Sequence, residues 1–161
     1  MMGLNPVQRR CYPKHMPLQP SIVVTSPDSP KVLLVVNVQG SAADVTGAET
    51  DLKVYMARMS CPVGMLVTPE QARFYINRFT DYTPQTVELI GECPTIDLLG
   101  APEKVVEPYL EWFVQEWLEG LSGGARRSWP SPVREAIEFS VLPMVTGSHV
   151  RAGGPRWRRA G

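Results

Sequence analysis

The nine residues VLLVVNVQG (32–40) decide how this chain folds. Six of the first seven are apolar, and a run this continuous fits a strand covered on both faces, in the interior of a sheet. Two uncharged amides, Asn37 and Gln39, interrupt it near its end. Alternate positions on a strand point to one face. One face of an otherwise apolar strand therefore turns polar where the strand stops.

Working outward, SIVVT (21–25) is a β-branched run and SPDSP (26–30) is a proline- and aspartate-set turn, so residues 21–39 read as a hairpin. Residues 46–60 read as a helix. Thr46 and Glu49 have the spacing of a capping box, and Ala48, Leu52, Tyr55, Met56 and Met59 form an apolar stripe. VGMLVT (63–68) and ARFYINRF (72–79) read as strands. Residues 80–104 read mostly as loop, with a short extended TVELI (86–90). EPYLEWFVQEWLEGL (107–121) is the strongest helical pattern, with Leu110, Phe113, Val114, Trp117 and Leu121 as its buried stripe. SPVREAIEFSVL (131–142) is a further helix, with Ser131 as N-cap and Pro132 at its first position. A helix between two apolar strands suggests a right-handed parallel crossover. The expected fold is α/β, a mixed central sheet flanked by helices. Its organisation is an irregular arm over 1–20, one domain over 21–150 with a core at 21–79 and C-terminal helices within 103–142, and a basic tail at 151–161.

The chain has 161 residues, 43% hydrophobic and 20% charged, which suits a single domain with a real core. Sixteen prolines, about a tenth of the chain, point to many stiff connections. Net charge is zero but unevenly spread. Arg9, Arg10 and Lys14 sit near one end, and Arg151, Arg156, Arg158 and Arg159 near the other. Sixteen acids against nine bases leave the middle at −7. The basic ends fit either solubilising tails or contacts to nucleic acid or an acidic partner. Cys11, Cys61 and Cys93 are odd in number and widely spaced, so neither a disulfide framework nor a zinc site is expected, and reduced thiols in a cytoplasm fit. No apolar run reaches transmembrane length, and no signal-peptide core is seen.

His15 and His149 lack metal-ligand spacing, and no nucleophilic triad, P-loop or dinucleotide motif occurs. Asp28 is explained by the turn it sits in. Trp112, Trp117 and Trp129 read as packing anchors. Trp157, set among arginines, is the one aromatic placed as a base-stacking contact would be.

PSIVV (20–24), LLVVNVQG (33–40), AETDLKVYM (48–56), CPVGMLVTPE (61–70) and RFYINRF (73–79) together resemble the core of a PD-(D/E)XK nuclease-like domain. The resemblance is closest to the N-terminal part of type I restriction enzyme R subunits. It implies a restriction-endonuclease-like fold and a site at the end of two strands. In that family an aspartate after a proline and a Glu-x-Lys pair bind Mg²⁺ and activate water. Carried over, the aspartate position falls on Ser21, the glutamate on Asn37 and the lysine on Gln39. All three departures remove charge. Asn37 and Gln39 read either as remnants of a metal-binding face, open to solvent, or as satisfied polar groups at a strand end. Glu49, Asp51 and Lys53 on the following helix are candidates for relocated groups, and the competing reading is a cap and an exposed Glu49–Lys53 ion pair. Asp51 and Tyr55 match a Gln-x-x-x-Tyr helix motif with aspartate for glutamine, although Tyr55 also fits the core. The function this implies is a nuclease-like domain without hydrolytic activity, binding nucleic acid or acting as an interaction module. The alternatives are an active Mg²⁺-dependent DNA endonuclease using the relocated acids, or a non-catalytic structural partner. No cofactor is expected, with Mg²⁺ only if the domain is active. The partners implied are DNA, a restriction-system protein or another protein, with no membrane; oligomeric state stays open.

Overall fold

The structure, a computed structural model, describes residues 18–41, 44–100 and 109–153. Most of the N-terminal arm, residues 103–108 of the C-terminal helical region and the tail from 154 onward, with Trp157, lie outside the described residues.

The hairpin forms as expected, from β1 (Ile22–Thr25) and β2 (Val32–Val38), paired antiparallel with Ile22 opposite Val36. Helix α1 (Val45–Met59) then carries the chain to β3 (Val63–Val67), which pairs parallel to β2. Strand β4 (Gln71–Asn77) returns antiparallel, followed by β5 (Val87–Pro94). Helices α2 (Thr95–Leu99) and α3 (Leu110–Ser122) follow, and then a longer helical segment. That segment consists of α4 (Ser131–Ala136), a wide π-type turn (Ile137–Val141) and α5 (Leu142–Val145). Strand β6 (His149–Ala152) adds to the free edge of β1. The order across the six-stranded mixed sheet is β5-β4-β3-β2-β1-β6. Leu34, Val35 and Val36 are fully buried in its interior, as the apolar run requires, whereas Val32 and Leu33 are half-buried.

Alternation along the strands divides the core in two. Ile22, Leu34, Val36, Met65 and Phe74 face α3 and α4. Val35, Leu66 and Tyr75 face α1, against Leu52, Tyr55 and Met56. Gly64 on β3 makes the second contact possible, because a Cβ there would run into the Met56 sulfur. The wide turn has a cause in Pro143. Proline has no N–H to give the preceding turn, and its ring crowds the carbonyl four residues back, so the helix opens ahead of it.

Several expectations need correction. Helix α1 begins at Val45 after Asp44, so Thr46 lies inside it and no capping box forms; no side chain caps its N-terminus. Met59 is exposed, and Ala57 takes its place in the buried stripe. On α3, Leu118 is buried where Phe113 was expected, and Trp112 is half exposed, meeting the Phe113 ring edge-on at 5.1 Å. Trp117 and Trp129 do pack in the core, edge-on to each other at 6.1 Å. Pro130, not Ser131, precedes α4, and the helical segment continues past residue 142 to Val145. Residues 87–99 are a strand and a short helix rather than loop, and Arg151 belongs to β6.

Cys61 and Cys93 are buried and unbridged. Burial pushes the Cys61 thiol up to about 12, outweighing the opposing pull of the Val63 backbone and the nearby Lys31 charge, and the thiol donates to the Val63 carbonyl. Burial, and then Asp97, push Cys93 up to about 11. Only the thiolate reacts with disulfide reagents. In a Cys11→Ser variant, Ellman's reagent at pH 8 is expected to label neither thiol in the native protein and both once denaturant is added. Rapid native labelling would mean that this core opens far more often than its packing implies.

Candidate functional site

Extending the β1–β2 register by one residue sets Ser21 opposite Asn37, with both side chains on the α1 face. The same row continues across the sheet through Leu66 and Arg73 to Glu92. Gln39 lies two residues beyond Asn37, anchored through its backbone N–H to the Val67 carbonyl at 2.9 Å. The three positions singled out in the sequence therefore do converge at the carboxyl end of β2.

Polar atoms of all three are taken up within the cluster and its own backbone. The Val38 N–H donates to Ser21 Oγ at 2.9 Å, and Gln39 Nε2 donates to Asn37 Oδ1 at 2.7 Å. Ser21 is 6% exposed and Asn37 is 2% exposed. The face is closed, contrary to the expectation that it lies open to solvent; only Gln39 remains half-buried. An amide pair bonded in this way has an internal structural role, which buried polar groups require. No group of three or more His, Cys, Asp or Glu side chains suited to a metal ion occurs among the described residues.

Glu49 reaches the same side of the sheet but is taken up elsewhere. Its Oε2 accepts a 2.6 Å hydrogen bond from the Tyr75 hydroxyl and lies 3.7 Å from Arg73 Nη1. Arg73 Nε stands 3.0 Å from Glu92 Oε1, close enough for an ion pair though not aligned as a hydrogen bond. Burial and the Glu49 carboxylate drive the Tyr75 hydroxyl well above its usual range, against the opposing pull of Arg73. Burial alone would lower Arg73, but Tyr75, Glu92 and Glu49 more than offset it and hold the guanidinium charged. The expected Glu49–Lys53 pair does not form: the Lys53 ammonium lies over the Tyr75 ring, 6.0 Å from its centroid. Asp51 stands about 200° of helical rotation from Glu49, on the other flank of the buried stripe, so the two acids do not meet. Tyr55 is core.

Sequence reasoning missed Arg73, Tyr75 and Glu92. A signal was present, since period-two alternation in RFYIN puts Arg73 and Tyr75 on one face. Beside them lies a hollow of about 130 Å³, between Val45, Leu66, Thr68, Glu70, Gln71 and Arg73. The Ser41 hydroxyl donates to Glu70 at its rim. Glu49 and Glu92 flank the Arg73 guanidinium and Glu70 lines the same hollow, so acids outnumber the one guanidinium, a setting unfavourable to phosphate.

Comparison of the chain with family models, with curated proteins and with solved structures finds no match.

Proposed function

We propose that this chain is a restriction-endonuclease-like domain without hydrolytic activity that serves as an interaction module. The observation that carries the reading is that Ser21, Asn37 and Gln39 converge with polar atoms already engaged, Ser21 Oγ by the Val38 N–H and Asn37 Oδ1 by Gln39 Nε2. They stand together where the resemblance expects an Asp and a Glu-x-Lys pair, yet they bring no anionic oxygen. Hard divalent cations bind carboxylate oxygen far better than amides. Glu49, a candidate replacement, is committed to Tyr75 and Arg73. The acidic surroundings favour a protein or cationic partner over a nucleic-acid backbone, which is held mainly by lysine and arginine. In this reading the working compartment is the cytoplasm, which the two unbridged thiols support.

Incubation with supercoiled plasmid and Mg²⁺ or Mn²⁺ is expected to give no nicking above a buffer control. Gel-shift titration with duplex and single-stranded DNA at physiological ionic strength is expected to give no complex. Metal-dependent nicking that disappears in Glu49→Gln would overturn the proposal in favour of a nuclease with relocated acids.

A further inference from the structure

At the other end of β3 from the amide cluster, a cavity of about 320 Å³ opens between the last turn of α1 and the loop after β4. That volume is at the lower end of the range for small-ligand sites. Two aromatic residues stand at it with unusual exposure, Phe79 at 56% and Tyr82 at 81%. No ring stacking pairs them with each other among the described residues. The Asp81 carboxylate lies between them in sequence and also lines the cavity. Its Oδ1 accepts from the Thr83 N–H and hydroxyl, and these bonds hold its pKa below the usual value. Asp81 is therefore an anion throughout the neutral range.

The helix end adds to this charge. Ala57 and Ser60, from the C-terminal end of α1, form the opposite wall. The Met56 carbonyl is satisfied three times over, by the Ser60 and Cys61 N–H groups and by Asn77 Nδ2. The carbonyls after it belong to the last turn, where the helix carries its partial negative charge. Of the nearby bases, neither Arg58, in the last turn of α1, nor Arg78 lines the cavity, and Arg78 is ion-paired to Glu88 at 2.7 Å.

The backbone holds the aromatic wall in place at a cost. Phe79 has φ +58°, a left-handed conformation that a bulky residue rarely adopts. It is fixed there by Asn77 Oδ1, which accepts the Phe79 N–H at 2.8 Å. Thr80 N–H bonds Thr86 Oγ1, and the Arg78 N–H bonds the Thr86 carbonyl, so the loop is tied down on both sides. Packing does not explain the strain, because the ring is largely exposed.

We infer that this cavity binds an organic cation of the methylated-ammonium type, held against the Phe79 and Tyr82 rings, with Asp81 and the α1 carbonyl end supplying the negative field. Aromatic faces attract such cations through their quadrupoles, and a diffuse alkylammonium sheds its water more readily than a compact ion. The same headgroup occurs on free small molecules and on trimethyl-lysine side chains. The site is independent of the amide cluster and of whether that cluster once held metal.

Calorimetric titration with choline, with its uncharged isostere 3,3-dimethylbutan-1-ol, and with a trimethyl-lysine peptide beside its unmethylated form tests the inference. Saturable binding of choline is expected, with the neutral isostere about tenfold weaker or worse. The peptide arm separates the sources. A trimethyl-lysine peptide tighter than choline assigns the site to a partner chain, and equal affinities assign it to the free cation. Phe79→Gly and Asp81→Asn should each weaken binding about tenfold. Phe79→Gly should leave the thermal midpoint unchanged or raised, because glycine takes the left-handed backbone without strain. Absence of saturable binding in every arm, equal affinity for choline and its isostere, or binding indifferent to Phe79→Gly would each overturn it.

Discussion

The triple variant Ser21→Asp, Asn37→Glu, Gln39→Lys is expected to be destabilised by about 3–5 kcal/mol in metal-free buffer, the scale for an uncompensated buried charge. Ser21 and Asn37 are almost wholly buried and directly opposed across β1 and β2. Two carboxylates placed there lose hydration and repel each other. The variant also removes the Gln39–Asn37 hydrogen bond. The introduced ammonium, next along the same face, offsets only part of this. Mg²⁺ should then recover much of the loss, because the ion binds only the folded arrangement of the three side chains. Thermal melts of wild type and variant, with and without Mg²⁺, check both halves. An equal Mg²⁺ response in the two proteins would mean that the positions, though adjacent, do not form a metal site when charged.

The second large effect is expected at Asn77. Its side chain joins three segments: Nδ2 donates to the Met56 carbonyl of α1, and Oδ1 accepts from the Phe79 N–H and the Thr86 hydroxyl. Asn77→Leu, close in volume, strands the Phe79 N–H and takes the acceptor from the Thr86 hydroxyl at a buried position, while the Met56 carbonyl keeps the Ser60 and Cys61 N–H groups. A loss of about 2 kcal/mol or more follows, since each of the two stranded groups costs about 1–3 kcal/mol. Urea unfolding measures it. Asn77→Asp keeps the acceptor and loses the donor, so it should fall between wild type and Asn77→Leu. A cost below about 1 kcal/mol for Asn77→Leu would show that water or backbone movement satisfies the same groups.

What could be read in the chain follows from how each element is covered. Strand β2 is enclosed on both faces, so its apolar run announced it, and the hairpin turn brought Ser21 into register with Asn37. Strand β5 lies at the sheet edge, where the pairing slips between Phe74 and Tyr75: Phe74 faces Gly91 but Tyr75 faces Leu89. Ile90 is the extra residue, and one extra residue destroys the period of two on which strand reading depends. Helix α2 spans five residues, too few to show a helical period. The partners of Glu49 were hidden for another reason. Arg73 and Tyr75 meet it only after α1 folds over the sheet, a tertiary event that local pattern does not encode. Phe113 misled because the apolar stripe of α3 runs through Leu118 instead, leaving Trp112 and Phe113 together on the outside.

The sheet is closed by its most remote pairing, Ile22 of β1 against Ala152 of β6. The rest of the described sheet consists of pairings between neighbouring elements, so it can assemble progressively from the hairpin outward. The β1–β6 seam must wait until a loop of about 130 residues has been brought together, a search whose entropic cost grows with the logarithm of loop length. Strand β6 is only four residues long and half exposed, so little apolar surface holds it once formed. Refolding should therefore show the seam arriving last, and amide exchange at residues 149–152 should outpace that of β2 and β3 by orders of magnitude. The fold thus has a rapidly renewed margin on β1 and a slowly exchanging centre.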